Sequence, residues 1–210
     1  MITLDEYIKS PCSLLSIPYW KQKTMSVPDE IKIVHDSEFS EQLLNSFSDE
    51  QYFRLSHNMK NIQTTELDFC KIITVSKKNI SHIVSIINSS YTDIRVDDRY
   101  LKSLTKTPVY DPNLWIMAAE KNTGKYFGCA IADYDPECRE LIIEWVQVLP
   151  DYRGQRIGQM LVNELLYRMR ETASFATVSG KVANNTHPEI LYRKCGFTGN
   201  DIWHILHRKR

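Results

Sequence analysis

No glycine stands before Gly124, and all seven follow from there. Other things are scarce as well. No run of about 18 apolar residues occurs, so no segment is expected to span a membrane. The five cysteines, Cys12, Cys70, Cys129, Cys138 and Cys195, form no CxxC pair, which argues against a zinc site or any other metal centre. Their odd number and wide spacing argue against a disulfide framework and for reduced thiols in a cytoplasmic protein. Neither sign of charge is in excess, with 26 Lys+Arg against 26 Asp+Glu. A nucleic-acid binder is therefore not expected; the basic end His207 to Arg210 reads as a solvated tail. The start, MITLDEYIKS, carries Asp5 and Glu6 and no apolar segment, so no signal peptide is read there.

What is present is enough for a core: 42% hydrophobic residues in 210. Residues 1–68 read as an N-terminal extension of helices and loops. Phe39, Leu43, Leu44 and Phe47 fall at helical spacing, and Ser48 with Gln51 resembles a capping box opening a further helix. The aromatic group at Ile17 to Lys21 reads as packing. Residues 69–210 read as a second domain of mixed α and β. FCKIITV is a strand, and NISHIVSIINSSY presents Ile80, Ile83, Val84 and Ile87 on one helical face. VDDRYLKSL is a shorter helix. A meander follows in LWIMAAE, YFGCAIADY and ELIIEWVQV. Next come a helix with Val162, Leu165, Leu166 and Met169 on one face and the strand FATVSGKV. A short helix at THPEILYRKCGF is capped by Thr186 and Glu189 and stopped by Gly196, and the strand DIWHILHRK closes the order. The expected class is α/β (α+β): a mixed, mostly antiparallel central sheet flanked by helices, with the helical extension in front.

Between strand and helix stands LPDYRGQRIG, Leu149 to Gly158. A helix N-terminus presents unpaired N–H groups and the positive end of the dipole, and glycine lets a backbone approach an anion. The Walker and GxGxxG patterns are both absent. Taken alone, the stretch is equally a turn with arginines in solvent.

A second motif changes that balance. VQVLPDYRGQRIG resembles the acyl-CoA signature of the GNAT superfamily of N-acyltransferases, with Val148, Pro150, Arg153 and Gly158 matching and Arg156 in place of the middle glycine. NNTHPEILYRKCGF resembles that family's other hallmark through Asn185, Leu191, Tyr192, Gly196 and Phe197. The resemblance runs from about Phe69 to Lys209 and implies acetyl-CoA as co-substrate. Its pantetheine would pair with the backbone of Val146, Gln147 and Val148. The pyrophosphate would sit on Arg153, Gly154, Gln155, Arg156, Ile157, Gly158 and Gln159. Asn185 would bond the pantetheine arm, and Tyr192 would act near the sulfur. Arg156 should fit if its φ stays helical, because only a positive φ demands glycine.

A neutral amine must be the nucleophile, and a carboxylate can take its proton. Alternation places Glu144 with Val146 and Val148 on one face of the strand, making it the leading base, with Asp133 weaker and Trp145 in the core. Cys195 reads as a small buried residue. The expected activity is acetyl transfer to a primary amine by direct attack on the thioester. The acceptor stays open among a small molecule, a protein N-terminus and a lysine, and the protein is expected to be a monomer or homodimer. The rival is a non-catalytic module of the same fold that senses acyl-CoA or docks a partner. Tyr192 favours the enzyme, where a phenylalanine would have favoured the rival.

Overall fold

The computed structural model describes residues 2–90 and 94–209. The expected helix over NISHIVSIINSSY is present to Ser90, and its last expected residue, Tyr91, lies outside the described residues. Two compact units make up the fold, Met59–Ala176 and Met1–Asn58 with Thr177–Arg210. Among the described residues, eight strands and flanking helices give the expected α/β class, with a helical part at the N-terminal end. No helix of the described residues is long and apolar enough to cross a membrane.

In the unit Met59–Ala176, β3 (Cys70–Thr74), β4 (Tyr110–Glu120), β5 (Tyr126–Asp135) and β6 (Glu140–Val148) run in the order β6-β5-β4-β3, each pair antiparallel. Short turns join β4, β5 and β6, so neighbours in sequence pair in space. Strand alternation sends one set of side chains to each face. Trp115, Met117, Cys129 and Ile131 pack under α3 (Ile80–Ser90) and α4 (Asp98–Leu104), against Ile80, Ile83, Ile87 and Leu101. Helix α4 is capped by Asp97, whose side chain accepts from the Tyr100 N–H at 2.7 Å. The opposite face receives α5 (Ile157–Met169), whose Leu161, Leu165 and Leu166 are fully buried. Gly128, next to Cys129, faces this helix: a Cβ there would lie 3.3 Å from both Ile157 Cγ2 and Leu161 Cδ1.

In the other unit the strand order is β1-β8-β2-β7, with β1 (Ile31–His35), β2 (Phe47–His57), β7 (Phe175–Lys181, from Thr177 in this unit) and β8 (Thr198–Arg208). The N-terminal segment contributes α1 (Leu4–Lys9), opened by a Thr3–Glu6 capping box, and α2 (Pro11–Leu14). Tyr19, in a 3₁₀ turn, is buried with its ring 5.4 Å from Tyr7, so the aromatic group there packs as expected.

The helices expected from Phe39 to about Lys60 do not form. Leu43 and Leu44 lie in a single 3₁₀ turn, and Phe47 begins β2. The supposed capping residues serve the sheet instead. The Ser48 hydroxyl donates to the His207 carbonyl at 3.3 Å, and Gln51 lies opposite His204. Pairing with a strand some 150 residues later overrides the local helical spacing, because the aromatic and aliphatic side chains of β2 gain a buried sheet surface. Strand β2 lies between β8 and β7, which makes part of the N-terminal segment an interior strand of this unit.

Candidate active site

Strand β6 delivers Glu144, Trp145, Val146, Gln147 and Val148, all half-buried, to the start of the loop. Opposite them on β5, Val146 faces Ala130, Gln147 faces Cys129 and Val148 faces Gly128. The register then jumps: Trp145 faces Ile131 and Ile143 faces Ala132, leaving Glu144 as the extra residue of a β-bulge. Strict alternation therefore does not carry across Glu144, and its expected place on one face with Val146 and Val148 does not follow. A bulge re-aims a side chain. Trp145 packs against the α3–α4 cluster, as its core reading required. Asp133, the weaker base candidate, is buried on β5 opposite Ile142.

Three contacts fix the loop after β6. The Leu149 N–H donates to the Phe127 carbonyl at 2.9 Å. Tyr152 stacks on Phe127, with centroids 4.7 Å apart and planes 12° apart. Arg153 turns back, donating through Nε to the Val148 carbonyl at 3.1 Å and through Nη2 to the Ser90 carbonyl at 3.4 Å. Its guanidinium is thereby a strap on the loop.

The backbone beyond Arg153 makes two left-handed turns. Gly154 has φ +79°, with nothing within 4 Å of where a Cβ would stand. Arg156 has φ +63° and ψ 11° and is the N-cap residue of α5. The expected helical φ at Arg156 is thus overturned. Arg153 is extended, with ψ 159°, and only a few residues separate it from the helix axis, so the chain reverses through Gly154 and Arg156. An L-residue in this region is strained by roughly 1–2 kcal/mol, which is the physical reason for glycine at this place in the motif.

Helix α5 starts without a side-chain cap and without an acidic residue in its first turn. Ile157 anchors it, 1% exposed. The N–H groups of Ile157, Gly158 and Gln159 therefore stand at an uncompensated positive helix end, beside the exposed backbone of Gly154 and Gln155. This is an arrangement that can receive an anion.

The remaining two predicted residues, Asn185 and Tyr192, lie in the other unit. Asn185 is exposed in a turn. Its neighbour Asn184 orders that turn, with Oδ1 accepting from the Thr186 N–H at 2.9 Å and from its hydroxyl at 2.7 Å. The expected Thr186–Glu189 capping box is absent. Thr186 bonds Asn184, Glu189 pairs with Arg193 at 2.7 Å, and His187, at φ +47°, is the N-cap of α6 (Pro188–Lys194) with no side-chain bond. The far end of α6 follows the expectation. Gly196, at φ +94°, donates to the Arg193 carbonyl at 3.0 Å, and the Phe197 N–H to the Tyr192 carbonyl at 3.1 Å. This pair of bonds is a Schellman termination, which explains the Gly-Phe of the motif. Tyr192 is 6% exposed, with its ring 6.2 Å from Phe53 and 5.9 Å from Phe197. Cys195 is buried, and burial pushes its thiol up to about 12, so it stays protonated and inert near neutral pH.

Sequence reasoning missed Tyr152, Gly128, Phe53, His57 and Gly180. Two of these carried a signal, because an isolated glycine inside a strand pattern marks a close approach, and Gly128 and Gly180 are both of that kind. Phe53 and His57 were hidden by the helical reading of their segment.

A family model described as an Acetyltransferase (GNAT) domain matches residues 111–199, which include all of LPDYRGQRIG and the α6 motif. No curated protein gives a significant match. Among solved structures, a GCN5-related N-acetyltransferase from Sphaerobacter thermophilus is similar, with a TM-score of 0.71 and 20% identity over 90% of this chain. The chain spans 64% of that protein's length. The ribosomal-protein-S18-alanine N-acetyltransferase from Escherichia coli superposes with a TM-score of 0.53 and 17% identity over 66% of this chain and 93% of its own. A structure of the NatC complex bound to Gag peptide and CoA gives 0.54 and 18% over 68% of this chain and 99% of the matched one. At these identities the likeness is one of fold. The family model spans both motifs, so residues 111–199 are similar to a GNAT acetyltransferase domain, and the fold is the one these structures share.

Proposed function

We propose that the protein is an N-acetyltransferase using acetyl-CoA and a primary amine. The observation that carries this reading is the start of α5. Its first-turn N–H groups have no cap and no acidic neighbour, and the two left-handed residues before it open the backbone to an anion. Arg153, Gly154, Gln155, Arg156, Ile157, Gly158 and Gln159 would hold the pyrophosphate, Val146, Gln147 and Val148 the pantetheine through their backbone, and Asn185 its arm. When bound, acetyl-CoA supplies an acetyl group activated as a thioester and departs as the thiol.

Tyr192 is the residue proposed to act at the sulfur. A thiol titrates near about 8.5 and a phenol near about 10, so complete proton transfer from Tyr192 to a thiolate would be uphill by roughly 2 kcal/mol. Its role is therefore to donate a hydrogen bond to sulfur as negative charge develops there, which stabilises the transition state more than the ground state. The amine must arrive neutral, and Glu144 is the proposed group that takes the ammonium proton, directly or through water; the second proton, lost from the nitrogen once the N–C bond has formed, goes to the sulfur as the C–S bond breaks. Of two similar structures, one is named for a ribosomal-protein alanine and the other holds a bound Gag peptide with CoA, which favours a peptide amine as the class to try first.

The test pairs calorimetry with a thiol-release assay. Tyr192→Phe should bind acetyl-CoA as the wild type does and turn over at least about 10-fold more slowly. A mutant that keeps the wild-type rate would remove Tyr192 from the chemistry. Acetyl-CoA binding without thiol release across a panel of amines and N-terminal peptides would support the sensor reading instead.

A further inference from the structure

Two glycines in the unit that holds Tyr192 each leave room for a ring of β2. A Cβ on Gly180 would lie 2.5 Å from Cζ and 2.8 Å from Cε1 of Phe53, so the bare backbone of β7 is where that phenyl ring rests. A Cβ on Gly196 would lie 2.9 Å from Nε2 of His57. Phe53, 1% exposed, reaches Tyr192 with centroids 6.2 Å apart and planes tilted by 56°. His57, 4% exposed, reaches Phe197 at 5.4 Å, and Phe197 meets Tyr192 edge-on at 5.9 Å. Tyr192 thus has two aromatic neighbours, Phe53 from β2 and Phe197, and Phe197 in turn meets His57 of β2. These separations fall in the range of favourable ring pairs. A Cβ added at Gly180 would overlap the Phe53 ring, so that ring keeps its place only while position 180 carries no side chain.

We propose that Phe53, seated on the bare backbone of Gly180, is a positioning residue that fixes Tyr192 for acetyl transfer, with Phe197, itself in contact with His57, as a second aromatic neighbour. The inference rests on the catalytic reading of Tyr192 given above. A phenol that supports a developing charge must sit in place before the charge appears, and a displacement of about 1 Å can cost on the order of 100-fold in rate. A strand from the N-terminal segment thereby becomes part of the catalytic support. The proposal also gives a reason for the bare position 180: a side chain there would displace Phe53, the ring in contact with Tyr192.

A mutant cycle separates positioning from general packing. Gly180→Ala and Phe53→Leu are each made in the wild type and in Tyr192→Phe. The rate is thiol release from acetyl-CoA with the fastest acceptor of an amine panel, water included. In the wild-type background each substitution should lower kcat at least about 10-fold while KM for acetyl-CoA stays within roughly 2-fold, because the loss belongs to the transition state. In Tyr192→Phe neither should lower kcat further, since the group they position is gone. Equal losses in both backgrounds would overturn the proposal and mark the two residues as ordinary packing. Tyr192→Phe at the wild-type rate would overturn the reading beneath it, and the proposal with it. If circular dichroism shows Gly180→Ala to be unfolded, Phe53→Leu decides on its own, because it removes the ring without crowding β7.

Discussion

Gly154 and Arg156 both hold left-handed backbone, at φ +79° and +63°, and only the first has a residue suited to it. The arginine imposes strain on the turn that starts α5. Arg156→Gly should raise stability by about 1 kcal/mol, read as a shift in denaturant midpoint at unchanged slope. Arg156→Ala should give no such gain, because alanine keeps the Cβ. Equal gains from both would locate the cost in the arginine side chain and not in the backbone.

Gly158 lies in the first turn of the same helix, where a bound anion would need close approach. Gly158→Val should weaken acetyl-CoA binding at least about 10-fold, or roughly 1.4 kcal/mol, in a calorimetric titration. Unchanged affinity in a folded mutant would remove this helix end from the binding site.

Gly128 is predicted to matter for the same helix from below. A Cβ there meets the Gln147 carbonyl oxygen at 3.2 Å and Ile157 at 3.3 Å, and the carbonyl belongs to a paired strand that cannot easily give way. Gly128→Ala should cost about 1 to 3 kcal/mol by overpacking. Hydrogen exchange should show the opening concentrated in the first turn of α5; protection equal to wild type there would contradict this.

His57 makes stability depend on pH. Burial pushes its pKa below the usual histidine value, so the unfolded chain binds this proton more readily than the folded one. Stability then rises with pH where the unfolded state holds the extra proton. The contribution is complete above the unfolded value of about 6.5 and is lost as pH falls below it. His57→Gln should flatten the difference in denaturation free energy between pH 7 and pH 5 relative to wild type. An identical slope in both proteins would exclude His57 as its source.

Removing residues 1–57 takes away β1 and β2, both partners of β8. The shortened protein should lose cooperative unfolding and the dispersed amide spectrum of the sheet. A folded, active protein after that deletion would mean that β8 can pair otherwise.

The meander β4–β5–β6 and helices α3, α4 and α5 were legible in the sequence, because their apolar spacing is local and short turns separate them. The two motifs were legible because their residues answer to backbone demands: Gly196 to a helix end, Gly154 to a left-handed turn. Residues 39–57 misled, since Leu43, Leu44 and Phe47 match a helical stripe and the decisive partner, β8, lies at the far end of the chain. The bulge at Glu144 was also invisible, because nothing within ELIIEWVQV announces which residue the neighbouring strand will skip. The fit of Arg156 depends on its φ, which residue type does not reveal, because that angle is set by how far the loop must turn.

The place of β2 also sets a clock on synthesis. Its partners in the order β8-β2-β7 come much later in the chain, with Phe53 opposite Ile202. At translation rates of about 5–20 residues per second, the strand waits on the order of ten seconds for the rest of its sheet. Throughout that interval Phe53 and Leu55, buried in the finished protein, have neither of their flanking strands. The strand made among the first is the one completed among the last, and during that wait the nascent chain is most open to pairing with the wrong edge.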